Sequence, residues 1–311
     1  MSFKRKIIVQ KIPAFVFLTA LFSATLSGCS GNINDPAPPT VFTILISSPV
    51  SEQPANDNSS NPYSSFDGRY IVFQSPATNL TSNNMPPYME QVFRKDTLTG
   101  ELTMVSVTPT GSGGNKSSSL SSLSDNGRHV AFSSTATDLT SDTILNPGFS
   151  NVFVRDMILG KTTLISIGSE LYGPPPTENE MSGSAQISAD GRYIIFQTND
   201  DNIAAGDTNG HTQDIIRCDR GAPQNGGYAD TSLSFEIVSV NSSENQDPSE
   251  DSLYPALSPD GNLVVFETLG QLAPTDNDSY YDIYLRDINA GTTTQVSLID
   301  TDTELAASAR Y

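Results

Sequence analysis

The sequence predicts an all-β protein, a β-propeller built from four-stranded blades, and three observations support this. One unit occurs four times within the 311 residues. Each unit opens with a tight turn between two short strands, and two more short strands follow it. Four strands per unit at a spacing of several tens of residues is typical of propellers, whereas solenoid repeats are shorter.

A tight turn followed by an apolar run opens every unit. The four turns contain Asp67-Gly68, Asn126-Gly127, Asp190-Gly191 and Asp260-Gly261, so their glycines lie 59, 64 and 70 residues apart. Such dipeptides predict β-hairpins with type I′ turns, in which both central residues have positive φ. The runs that follow, such as Tyr70–Phe73, are apolar at consecutive positions. This pattern predicts strands covered on both faces, as in stacked blades.

The third strand of each unit ends in a basic residue and an aspartate. The four copies are Val92–Asp96, Val152–Asp156, Ile215–Asp219 and Ile283–Asp287, and Cys218 replaces the basic residue in the third. The pair is either a recognition feature on one rim or a structural device, with Asp accepting turn amides and Arg covering the next blade. The structural interpretation is favoured, because repeats share architecture more often than ligands. The replacement at Cys218 predicts partial exposure of a thiol that is either inert or reactive.

The fourth strands follow short glycine turns in three units and a long loop, residues 220–232, in the third. The Ser-x-Asp-Gly-Arg-Tyr-x-x-Phe and Val-Phe-x-Arg-Asp patterns resemble the WD40-like repeats of TolB-type propellers over residues 40–311. The resemblance implies the fold and not an activity, since such blades occur in scaffolds, peptidase gating domains and lyases. The sequence has no Gly-x-Ser-x-Gly motif for a peptidase. Its two histidines, which we expect in the core (His129) and on the surface (His211), are too few for a lyase metal site.

Residues 1–28 have the layout of a lipoprotein signal peptide. Four basic residues precede or border an apolar stretch, and Leu-Ser-Gly-Cys at 26–29 resembles a bacterial lipobox. We therefore expect Cys29 to be lipidated, residues 29–39 to form a flexible tether, and the propeller to begin at residue 40. Ser30, rather than Asp, follows the cysteine, and the resemblance to lipoproteins of bacteria with two membranes implies sorting to the outer membrane, on its periplasmic or surface face. The alternatives are an ordinary signal peptide with an unrelated cysteine and an uncleaved anchor.

The composition limits the partners. With 35 acidic and 16 basic residues the net charge is -19, which disfavours nucleic acids and anionic lipids. Once Cys29 is lipidated, Cys218 is the remaining thiol, so no intrachain disulfide is expected. We expect a non-catalytic binding or scaffold module with a protein or peptide partner in the envelope and membrane contact through the lipid alone. The alternatives are a cation-dependent enzyme acting on polysaccharide and a surface module made rigid by calcium.

Two loops between second and third strands carry spaced oxygen side chains that suit calcium. They provide the candidate metal ligands Asp207, Asn209, Asp214, Asp276, Asp278 and Asp282. The alternative is that these residues cap strand ends in Asx turns and bind no cofactor.

The ends of the repeat array suggest a longer ring. Residues Thr43–Ser48 align with a fourth strand, because Ser47 precedes Gly68 by the same 21 residues that separate Ser106 from Gly127. The last residues reach the point where a fifth unit would begin. The chain is thus either a truncated form of a six- to eight-bladed ring, with exposed strand edges, or a four-bladed ring with frayed ends.

Overall fold

The computed structural model describes residues 45–48, 54–144, 147–167, 181–224, 227–299 and 303–304. Within these ranges the secondary structure is all β, and no helix in them is long and apolar enough to cross a membrane. Four antiparallel sheets of four strands each follow one another along the chain. They confirm the predicted β-propeller architecture. The predicted signal peptide, Cys29 and the tether lie outside the described residues.

Each sheet is one blade, and its strands pair in the order in which they occur in the chain. Blade 1 consists of β1 (Ser60–Ser64), β2 (Tyr70–Ser75), β3 (Gln91–Asp96) and β4 (Leu102–Met104). Blade 2 consists of β5 (Ser118–Leu123), β6 (His129–Ser134), β7 (Asn151–Asp156) and β8 (Lys161–Leu164). Blade 3 consists of β9 (Ser182–Ile187), β10 (Tyr193–Thr198), β11 (Asp214–Asp219) and β12 (Ser234–Ile237). Blade 4 consists of β13 (Ser252–Leu257), β14 (Leu263–Thr268), β15 (Asp282–Asp287) and β16 (Thr292–Gln295), and a two-stranded pair follows it, β17 (Leu298–Ile299) and β18 (Thr303–Glu304).

The first two strands of every blade form the predicted hairpin, but the predicted type I′ turn is wrong. In blade 1 the Gly68 N–H donates to the Ser65 carbonyl, which makes Phe66 and Asp67 the central residues of the turn. Gly68 has φ 70°, whereas Phe66 and Asp67 have negative φ. The Ser65 hydroxyl donates to the Asp67 carboxylate, which also accepts the Arg69 N–H. Asp67 is therefore needed as a hydrogen-bond acceptor rather than for left-handed backbone.

The hydrophobic core lies between blades. One cluster joins Val72 and Val92 of blade 1 to Phe132 and Phe153 of blade 2. Equivalent clusters fill the spaces between blades 2 and 3 and between blades 3 and 4. The inner strands of blades 1 to 3 therefore bury most of both faces, as the strand β6 does along its whole length. This is the physical reason for the consecutive apolar residues in the sequence.

In blades 1 and 3 a tyrosine at the start of the second strand fixes the blade against the turn of the next. A Cβ on Gly127 would lie 2.2 Å from the ring of Tyr70, so glycine alone fits between blades 1 and 2. The guanidinium groups of Arg69 and Arg94 stand 4.8 and 4.9 Å from the centre of that ring. Arg94 also donates to the Gly127 carbonyl oxygen. Tyr193 and Gly261 repeat this contact between blades 3 and 4.

The repeated Arg-Asp element is structural. Asp96 accepts the Leu98 and Thr99 N–H groups of the turn that follows it. In blade 2, Asp156 accepts the N–H groups of Ile158 and Leu159 in the same way. Asp96 also pairs with Arg69 from the first turn of its own blade. The two turns of a blade therefore lie at one end, and this end of the four blades is called the turn rim below. The opposite end, which carries the loops between second and third strands, is called the loop rim.

The face of blade 4 that points away from blade 3 and the face of blade 1 that points away from blade 2 differ in how far their apolar residues are covered. On blade 4, Val265 and Ile283 are partly exposed, although the matching residues Val72, Val92 and Ile195 are fully buried. On blade 1, Ile46 packs against the cluster around Phe73 and Phe93. Val105 lies at the aligned position one unit later. It packs against blade 2 as Ile46 packs against blade 1. Residues 45–48 are not in a strand, and residues 43 and 44 lie outside the described residues.

Candidate metal centre on the loop rim

Three of the predicted metal ligands come together in blade 4. Asp276 and Asp278 lie in the loop between β14 and β15, and Asp282 is the first residue of β15. One carboxylate oxygen from each lies within 4.8 Å of the other two. Asp276 and Asp282 are buried and Asp278 is half-buried. The group consists of hard oxygen donors, which are the ligands that calcium and magnesium take in proteins.

The electrostatics of this group are unfavourable without a positive partner. Burial, followed by the charges of Asp282 and Asp278, raises the pKa of Asp276. The Tyr284 hydroxyl donates to Asp276 and opposes that shift. Burial also raises the pKa of Tyr284, and its hydrogen bond to Asp276 adds to the effect. No ion pair found among the described residues joins any of the three aspartates to Lys, Arg or His.

The Asx-turn alternative also holds for part of this loop. The Asp278 N–H donates to Asp276 at 3.4 Å, and the Tyr280 N–H donates to Asp278 at 2.7 Å. These bonds shape the loop and leave most of the acceptor capacity of the three carboxylates unused, since an ionised carboxylate has about four lone-pair sites.

The other three predicted ligands, in blade 3, are arranged differently. A single side-chain amide, that of Gln246, donates to Asp207 at 3.2 Å and to Asp214 at 2.9 Å. The side chain of Asn209 donates to the Asp247 carbonyl oxygen and also acts on Asp214, where its hydrogen bonding opposes the rise in pKa. Burial and the neighbouring charge of Asp214 raise the pKa of Asp207 to about 6, and burial raises the pKa of Asp214. Blade 3 therefore satisfies its two carboxylates with a neutral donor.

The first residue of the third strand has the same partner in every blade. Gln91, Asn151, Asp214 and Asp282 each accept a hydrogen bond from a serine hydroxyl of the segment after the fourth strand. In blade 1 the Gln91 amide nitrogen then donates to the Gly114 and Lys116 carbonyl oxygens. Blades 1 and 2 thus have an amide where blades 3 and 4 have a carboxylate. The carboxylates of blades 3 and 4 need donors or cations that amides do not need.

Sequence reasoning missed four residues that act on these groups. Gln246 lies 32 residues after Asp214 in a connecting segment, and neither composition nor spacing marks it. Ser239 and Ser297 could have been found, because each repeats the serine of the first unit, Ser106, at the same place. Tyr284 stands where the first two units have Phe93 and Phe153, and its hydroxyl becomes significant only through its contact with Asp276.

The two histidines lie where the sequence predicted. His129 is buried at the position that Tyr70 and Tyr193 hold in other blades, and its ring meets Tyr228 edge-on. Burial, followed by the charge of Arg220, lowers the pKa of His129 to about 4, so it is neutral near pH 7. His211 is exposed on the loop rim.

The expected partial exposure of Cys218 is wrong. Its side chain is 0% exposed, because it lies on the face of β11 that packs against blade 2 with Ala131 and Val154. Burial strongly raises the pKa of the thiol, which removes the thiolate needed for reactivity. A basic side chain is supplied nearby by Arg220 from the long loop, which pairs with Asp230.

Comparisons with known proteins give similarity in fold. No protein-family model and no curated protein matches the sequence. Solved structures that it resembles include TolB from Acinetobacter baumannii, with 17% identity, a TM-score of 0.44 and coverage of 77% of this chain and 43% of that one. A TolB structure from Agrobacterium tumefaciens has 16% identity, a TM-score of 0.31 and coverage of 77% and 80%. An oligogalacturonate lyase in complex with manganese has 15% identity, a TM-score of 0.41 and coverage of 79% and 54%. The chain thus spans less than half of the Acinetobacter protein and about half of the lyase.

Proposed function

We propose that this protein is a non-catalytic binding or scaffold module of the bacterial cell envelope, displayed on a β-propeller and anchored by lipid on Cys29. The lipobox-like residues 26–29 and the basic, apolar segment before them support the anchor and an outer-membrane location. The acidic charge favours a protein or peptide partner over nucleic acid.

The observation that carries the binding role is an apolar surface on the turn rim of blades 1 and 2. Phe66 is 95% exposed, and Leu98, Ile158 and Leu159 are between 62% and 72% exposed. Large apolar side chains exposed together mark contact sites more often than isolated ones do. Phe66 lies in the first turn of blade 1, and the other three lie in the turns before the fourth strands.

The backbone explains why these side chains face solvent. Asp96 accepts two amides of the turn that contains Leu98, and Asp156 accepts the amides of Ile158 and Leu159. The turns are therefore held by the aspartates and not by burial of their own side chains. Blade 4 has the polar Asn289 at the position of Leu98 and Ile158, so the apolar surface is a property of blades 1 and 2 and not of the repeat.

Site-specific photo-crosslinking in the producing cells tests this proposal. A photoreactive phenylalanine analogue at position 98 or 158 is expected to give an adduct of discrete mass, because the partner would lie against these side chains. The matched control places the analogue at position 289, in the equivalent turn of blade 4, and should give none. The analogue at position 66 should also give an adduct in the otherwise unchanged protein. This adduct should be lost when Leu98→Ser and Ile158→Ser are introduced together.

Two results would contradict the proposal. Equal crosslinking at positions 98, 158 and 289 would show that the apolar surface selects no partner. Metal-dependent cleavage of polysaccharide by the purified protein, abolished by Asp207→Ala or Asp276→Ala, would establish the enzymatic alternative instead. The anchor is tested separately, because Cys29→Ser should move the protein from the membrane fraction to the soluble fraction.

A further inference from the structure

The carboxylate of Asp282 carries an oxygen that no group in the described part of the chain satisfies. Asp282 is 2% exposed, and its Oδ1 accepts the Ser297 hydroxyl, whereas its buried Oδ2 has no hydrogen-bond partner among the described residues. The same carboxylate reaches within 4.8 Å of those of Asp276 and Asp278. A buried, unpartnered carboxylate oxygen is expensive, and other negative charges beside it increase the cost.

Blade 3 shows how the repeat satisfies a carboxylate at this position with a side chain of the protein. Asp214, the counterpart of Asp282, receives the amide of Gln246 on its second oxygen. Gln246 pairs with Val240 across a β-bridge, and Glu304 pairs with Leu298 in the same register of blade 4. Among the described side chains of blade 4, none donates to the second oxygen of Asp282 as Gln246 does to that of Asp214.

The third observation that points to a cation is the concentration of negative charge around Asp282. Asp276 is buried, Asp278 is half-buried, and the Tyr284 hydroxyl is the side-chain donor that Asp276 has within the described residues. Three carboxylates at this separation repel one another strongly in a partly dry environment. A divalent cation would satisfy the second oxygen of Asp282 and remove this repulsion at once.

We propose that blade 4 binds one Ca²⁺ through the carboxylates of Asp276, Asp278 and Asp282. Calcium takes six to eight oxygen ligands in flexible geometry, so carbonyl groups and water can complete the shell around three carboxylates on an open loop. Magnesium demands a near-ideal octahedron and keeps its water more firmly, so it fits this loop less well. The ion ties the loop after β14 to the start of β15 and stabilises the outermost blade. The inference is independent of the proposed binding function.

Calorimetric titration of CaCl₂ into the full-length protein, purified in detergent and stripped with EDTA, tests the site. One Ca²⁺ per chain is expected, with a higher thermal unfolding midpoint in calcium than in EDTA. Asp278→Asn and Asp282→Asn should each weaken calcium binding at least tenfold, because each removes one charged ligand. Asp282→Asn keeps an oxygen for Ser297, and Asp278 is half-buried, so both variants are expected to fold, which circular dichroism checks.

The matched control is Asp214→Asn, at the same strand position in blade 3, where Gln246 already serves the carboxylate. Its calcium affinity should equal that of the wild type. Terbium luminescence gives a second measurement, since the chain has no Trp and Tyr284 lies against Asp276. Terbium emission excited through tyrosine should be displaced by calcium and reduced in Tyr284→Phe. The proposal is overturned by absence of calcium binding up to about 10 mM, well above the weak end of calcium modules, or by Asp214→Asn weakening it as much as Asp282→Asn does.

Discussion

Replacing Gly127 by alanine should break the contact between blades 1 and 2. Gly127 has φ 65°, and a Cβ there would lie 2.2, 2.3 and 2.8 Å from three atoms of the Tyr70 ring. The ring cannot move aside easily, because Arg69 and Arg94 flank it. Left-handed backbone costs alanine about 1–2 kcal/mol, and overpacking a filled site costs about 1–3 kcal/mol more. We therefore expect Gly127→Ala to lower the free energy of unfolding by about 2–5 kcal/mol.

The assay is equilibrium urea unfolding, with Gly100→Ala as the matched control. Gly100 also has positive φ, 79°, but a Cβ there would have no neighbour within 4 Å. The control should lose only the backbone cost of about 1–2 kcal/mol. In a Tyr70→Ala background, Gly127→Ala should cost no more than Gly100→Ala, because the ring that it strikes is gone. If Gly127→Ala and Gly100→Ala are equally destabilising in the wild-type background, the inferred blade contact does not stabilise the fold.

Two further predictions concern charge. The pKa of His129 falls to about 4 in the folded protein from an ordinary 6.5, mainly through burial, with Arg220 and Arg128 adding to the shift and Asp156 and Asp230 opposing it. The unfolded chain binds more protons between these values, so stability is complete above pH 6.5 and falls as the pH drops towards 4, by about 3 kcal/mol. Urea unfolding across this range should show a shallower pH dependence in His129→Leu, which has the residue found at this position in blade 4; an unchanged dependence would exclude His129 as its source. In blade 4, Asn262 stands where Arg69, Arg128 and Arg192 pair with the strand-end aspartates of the other blades. Asn262→Arg should therefore raise the free energy of unfolding by up to about 1 kcal/mol through Asp287, as expected for an exposed pair; the gain should vanish in Asn262→Arg, Asp287→Asn, and its persistence there would show another cause.

Much of the fold follows from local patterns in the sequence. The four hairpins, the strand ends at Asp96 and its counterparts, and the burial of both strand faces all follow from turn residues and apolar runs within a few residues of one another. Such signals depend on backbone conformation and on side-chain alternation, which are properties of a short segment. Ile46, whose contact with blade 1 matches that of Val105 with blade 2, could also be aligned from the repeat alone.

The candidate site was only half predictable. The sequence named six oxygen-bearing residues in two loops and treated both loops alike. The structure separates them, because Gln246 bridges Asp207 and Asp214 in blade 3 whereas Asp276, Asp278 and Asp282 converge in blade 4. This difference depends on a segment more than thirty residues away in the chain. No local pattern records such a contact.

The sequence by itself determined the repeated unit and its four strands, and the lipoprotein signal at residues 1–29 stays a prediction. Only the tertiary structure decided which residues of neighbouring units meet. Arg220 donates to the Gly191 carbonyl oxygen, the contact that Arg94 makes with Gly127, although Arg220 comes from the long loop of the third unit. Cys218 is buried for a similar reason, since blade 2 covers its face of the strand. Contacts between blades depend on how whole sheets stack, and stacking brings together residues whose separation in the chain carries no periodic signal.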